Sequence, residues 1–139
     1  MCNMLYIGAD QELPLIPWDE RAPAFHVEPL SEGVEAVRNV FGVPYVYYAG
    51  SHDKCGCGFQ LGEFPDPEDE EAPAMRRSLN LLADYVEQQL ARVCRLSFYA
   101  CWAGGESAEP VRRRSVTAEQ LRGEDFFFLE KESSRFEAT

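Results

Sequence analysis

The stretch PAMRRSLNLLADYVEQQL, residues 73–90, repeats apolar side chains at Met75, Leu79, Leu82, Val86 and Leu90. Spacings of three and four bring those side chains onto one stripe of a 3.6-residue helix. Pro73 suits a first helical turn, where a missing N–H costs nothing. The expected helix has one apolar stripe to bury, so a sheet must lie beneath it.

Candidate strands lie on both sides of it. Asn3, Met4, Leu5, Tyr6 and Ile7 form an apolar run closed by Gly8-Ala9-Asp10. Period-2 geometry puts Cys2, Met4 and Tyr6 on one face and Asn3, Leu5 and Ile7 on the other. From Gln11 to Pro23, three prolines and Trp18 predict an irregular packed loop. Residues 24–28 alternate, with Phe25 and Val27 inward and His26 and Glu28 outward. Ser31 is a fair N-cap for a helix carrying Val34, Val37 and Phe41 and stopping at Gly42. Residues 43–49 are aromatic and β-branched and read as a strand.

Beyond the long helix, residues 94–102 and 111–116 read as an antiparallel hairpin across a Gly-Gly and proline turn. Cys94, Leu96, Phe98, Ala100 and Trp102 share a face predicted to be core, and Cys101 lies on the mixed opposite face. Thr117 with Gln120 fits a capping box. Residues 125–129, apolar throughout, are the expected last strand. The fold class that follows is α+β: a single domain over residues 1–139, with five to six mostly antiparallel strands and two main helices on one face. Residues 63–72 hold an exposed acidic linker, with six acids and two prolines between positions 63 and 71. Carboxylates there suit a hard cation, but the ligand spacing of a calcium loop is missing. Residues 132–139 are polar and read as a frayed tail.

Thirteen basic against twenty-four acidic side chains set the formal charge at −11. Such a field repels phosphate backbones, so no nucleic-acid partner is expected. Arg112, Arg113 and Arg114 are the exception, but on a strand they divide between two faces. No apolar run reaches eighteen residues, so no membrane span is expected. Five cysteines, an odd number, and no leader-like opening segment point to a cytoplasmic protein. No glycine-rich phosphate loop or dinucleotide fingerprint is present, so no nucleotide cofactor is expected.

The chemistry concentrates in Ser51-His52-Asp53-Lys54-Cys55-Gly56-Cys57-Gly58-Phe59. His52, Cys55 and Cys57 are metal-ligand types within six residues. Gly56 and Gly58 can adopt positive φ, which would let both sulfurs turn to one point. Lys54 and His52 are placed to lower a thiol pKa, and Phe59 to anchor the loop. The expected centre takes zinc or iron, zinc favoured, through His52, Cys55 and Cys57, with Cys2 and His26 competing for the fourth place. Cys-x-Cys is tighter than usual zinc spacing, so thiol chemistry at the same residues stays open, as does a plain glycine-rich turn. Cys2, if it became the first residue, would also carry a free amine as its own base. The alternative from another class is an acidic interaction module of inhibitor or immunity type, with no catalytic chemistry and a basic protein partner.

Overall fold

The chain builds its sheet from β1 (Asn3–Ala9), β2 (His26–Pro29), β3 (Tyr45–Gly50), β4 (Leu96–Trp102), β5 (Arg112–Thr117) and β6 (Glu132–Glu137). The helices are α1 (Ala72–Leu90) and α2 (Ala118–Leu121). A computed structural model describes residues 2–63 and 68–137. The strand order is β2-β3-β1-β4-β6-β5, antiparallel except for the parallel pair of β5 with β6. The mostly antiparallel α+β architecture is thus the observed one.

Strand alternation divides the core in two. Leu5, Ile7, Ala49, Leu96, Phe98 and Ala100 face Leu79, Leu82, Ala83 and Val86 of α1. Leu79 and Leu82 are fully buried, each worth about 2 kcal/mol of transfer free energy. On the opposite face Tyr6, Val46, Tyr99 and Cys101 pack with Val37 and Phe41. The two α-helices therefore share one face. The segment expected as a helix after Ser31 is instead a 3-10 helix, Glu32–Asn39, and it closes the other face.

The C-terminal third departs from the sequence expectations. The 94–102 and 111–116 strands do not form a hairpin, because β6 lies between β4 and β5. The expected frayed tail is β6 itself over Glu132–Glu137, and Ala138 and Thr139 lie outside the described residues. A polar strand can lie inside the sheet because its backbone is paired on both sides and its buried carboxylate has a counter-charge. Glu132, 3 % exposed, meets Arg114 at 2.8 Å, while Phe136 supplies apolar core. Residues 125–129 form no strand. Phe126 and Phe128 still enter the core, and side chains replace the ladder: Gln60 Nε2 donates to the Phe128 carbonyl (2.7 Å) and Phe128 N–H donates to Gln60 Oε1 (2.9 Å). Cys94, expected in the core, is exposed, because β4 begins only at Leu96 and Asp10 accepts the Cys94 N–H.

Other local expectations hold. Thr117 and Gln120 make both bonds of the capping box. Glu63 and Glu68–Glu71 of the acidic segment are exposed, and residues 64–67 lie outside the described residues. Among the described residues no helix is long and apolar enough to cross a membrane.

Candidate metal centre

The loop after β3 is closed at its base by its first residue. Ser51 is fully buried; its N–H and its hydroxyl both donate to the Cys55 carbonyl, at 2.9 and 2.6 Å. Its own carbonyl accepts from Lys54 N–H at 3.0 Å. Lys54 then takes φ 70°, a left-handed conformation that a non-glycine residue adopts at a cost of about 1 kcal/mol. A short 3-10 turn, Gly56–Phe59, follows, anchored by fully buried Phe59 against Phe25.

Positive φ therefore belongs to Lys54 and not to Gly56 or Gly58, contrary to the sequence expectation. Both glycines allow close approach instead. A Cβ on Gly56 would lie 3.0 Å from the Asn3 carbonyl oxygen, so β1 would have to give slightly for the loop to keep its seat. A Cβ on Gly58 would lie 2.2 Å from Ser51 Oγ and 2.7 Å from His52 Nδ1.

That seat brings the sulfurs of Cys2, Cys55 and Cys57 within 4.8 Å of one another. Two come from the loop and the third from the entrance of β1. All five cysteines of the chain are free. Zinc–sulfur bonds of about 2.3 Å in a tetrahedral set put neighbouring sulfurs about 3.8 Å apart, so closing on an ion requires movement of at most about 1 Å. Asn3 N–H donates to Cys57 Sγ at 3.2 Å. The Tyr48 hydroxyl donates to the Lys54 carbonyl, and burial, reinforced by the neighbouring Cys55, Glu28, Cys2 and Cys57, holds that phenol well above its ordinary value.

The activation expected of Cys55 is not found. Burial pushes Cys55 up to about 12; the Cys57 backbone N–H opposes that shift, while the Cys57 side chain and Cys2 add to it. Lys54, expected to lower it, holds its ammonium 5.2 Å over the Trp18 ring. His52 does not join the sulfurs. Its Nε2 lies 3.3 Å from Asp53 Oδ1, in a second group of potential ligands with Glu71. His26, expected to point outward, is 2 % exposed. Trp18 covers it edge-on at 4.9 Å, and its Nδ1 lies 3.2 Å from the Ala24 carbonyl. Among the described residues no His, Asp or Glu shares the 4.8 Å cluster with the three cysteines. Cys101 stays in the core of the opposite face.

Sequence reasoning singled out all three sulfurs but not Glu71 as a neighbour of His52. Glu71 lies in a charged run whose composition reads as solvated surface, and only the approach of α1 to the loop distinguishes it. No family model, curated protein or solved structure matches this chain.

Proposed function

We propose that Cys2, Cys55 and Cys57 bind one transition-metal ion, zinc favoured, through three thiolates. The observation that carries this is the convergence of three free sulfurs from two segments more than fifty residues apart. A generic glycine turn has no reason to recruit a third thiol from β1. Three sulfur donors suit zinc, copper(I) or iron chemistry, and they are poor ligands for magnesium or calcium.

The raised Cys55 pKa argues against free-thiol chemistry at neutral pH, since a thiol at about 12 is almost wholly protonated there. A metal changes that balance by displacing the proton, so binding releases protons and strengthens as pH rises. Cys2 is exposed and the loop sulfurs are half-buried, so an ion can enter from solvent. With three protein donors, a tetrahedral ion keeps one position for an outside ligand.

Protein prepared without chelators should carry about one zinc per chain, lost on acidification or on Cys57→Ser. Metal-free protein that neither binds added zinc nor gains thermal stability from it would rule the proposal out. Rapid alkylation of Cys55 at neutral pH in that metal-free protein would favour thiol chemistry in its place.

A further inference from the structure

We infer that the same loop carries a second, chemically distinct metal site: His52 Nε2, Asp53 and Glu71, taking a divalent first-row ion such as zinc through nitrogen and oxygen. It shares no donor with the three-thiolate centre and stands independently of it. The three ligand atoms lie within 4.8 Å of one another, and His52 Nε2 lies 3.3 Å from Asp53 Oδ1. Two donors at about 2.1 Å from one tetrahedral ion are about 3.4 Å apart.

Acidic groups alone would carry nothing here, because Asp53 and Glu71 are exposed. The histidine is the independent observation. Its side chain is nine-tenths buried, and Nε2 is inaccessible to solvent yet makes no hydrogen bond. Such an atom is costly to leave without a partner.

The other ring nitrogen has a partner that lets Nε2 present a lone pair. His52 Nδ1 lies 3.4 Å from Ser78 Oγ on α1, and the His52 backbone N–H donates to the same oxygen at 3.1 Å. A hydroxyl has two acceptor lone pairs, so Ser78 can accept both His52 protons and still donate its own. In the tautomer with its proton on Nδ1, the imidazole would turn a free Nε2 lone pair towards Asp53, 3.3 Å away. Metal-ligating histidines are oriented this way, the second nitrogen donating to a fixed acceptor. The ring needs the space that Gly58 leaves, since a Cβ there would reach Nδ1 at 2.7 Å. Lys54, at φ 70°, turns the chain between the two donor sets, so His52 and Asp53 serve one and Cys55 and Cys57 the other.

The competing arrangement is a protonated His52 held by the two carboxylates with no ion, and zinc titration of the metal-stripped full chain separates them. Wild-type protein should bind two ions. A Cys55→Ser/Cys57→Ser variant should keep one, and its cobalt(II) complex should lack thiolate-to-metal charge transfer. Glu71→Gln and Asp53→Asn should each weaken the remaining ion at least about tenfold, yet preserve the charge-transfer band in chains with intact cysteines. Glu71 is exposed and makes no side-chain cap bond to α1, so its substitution tests binding without threatening the fold. The inference is overturned if the cysteine variant binds no ion, or if an ion it does bind is indifferent to both carboxylate substitutions. Should the thiolate proposal alone be wrong, the charge-transfer band is missing from wild type too, while one ion sensitive to Glu71→Gln remains.

Discussion

Cys55 and Cys101 are perturbed alike and surrounded differently. Burial is the main cause for both, and each thiol is pushed up to about 12. Cys101 sits alone on β4 among Tyr6, Val37, Phe41 and Tyr99, with Glu106 and Glu130 adding to its shift. Cys55 has two more sulfurs within 4.8 Å and a peptide N–H directed at one of them. Desolvation by itself therefore makes an inert thiol. Under the proposed function, what makes half-buried Cys55 a metal ligand is the convergence of further donors, which can share one ion and be deprotonated together.

The sharpest way to break this contrast is to remove one sulfur from each place. Outer groups around metal ligands are worth about 10–100-fold in affinity. Cys57→Ser should therefore weaken zinc by at least about a hundredfold, while Cys101→Ser leaves zinc affinity unchanged in the same titration. Equal losses would show that the cluster has no special role.

Stability should rank the two the other way in metal-free protein. Cys101→Ser places a hydroxyl among apolar and aromatic side chains and should cost about 1–3 kcal/mol by denaturant unfolding. Cys57→Ser, in a half-buried loop, should cost less. A smaller effect is expected at Gly56, where an added methyl crowds the Asn3 carbonyl at 3.0 Å. Gly56→Ala should cost about 1 kcal/mol and weaken zinc as well, because the displaced strand carries both Cys2 and the Asn3 N–H. Retention of full zinc affinity would mean that the loop need not sit against β1.

Alkaline pH gives the smallest expected effect near neutrality and a sign test further up. Both thiols have folded values raised above the ordinary 9.0, so each contributes stability that is fully present below about pH 9 and lost as pH rises towards about 12. Metal-free protein should lose both contributions across that range. Zinc-loaded protein should lose only that of Cys101, since Cys55 is already a thiolate. Identical alkaline profiles with and without zinc would place the ion elsewhere.

Residue patterns alone were enough for whatever depends on neighbours a few positions apart. The apolar stripe of α1, the face alternation of β1 and β4, the Thr117–Gln120 capping box and the chemical singularity of residues 51–59 are all local. In each case a short-range period or a single turn carries the information. The charge of −11 is likewise a property of composition.

Tertiary structure decided what depends on partners far along the chain. Glu132 and Ser134 read as solvated tail until Arg114 supplies a counter-charge and β4 and β5 supply edges. Residues 125–129 read as a strand until Gln60, 68 positions away, satisfies Phe128. His26 looks outward until Trp18 closes over it, and His52 looks like a partner of the cysteines until Lys54 turns the chain between them. Cys2 was one of two competitors for a fourth place, and the antiparallel pairing of β1 with β3 brings it beside Cys55 and Cys57 while His26 stays under Trp18. The physical reason is common to all of these. Each residue's surroundings are set by what the packed chain brings against it, and for Glu132, Phe128 and Cys2 those neighbours come from distant segments.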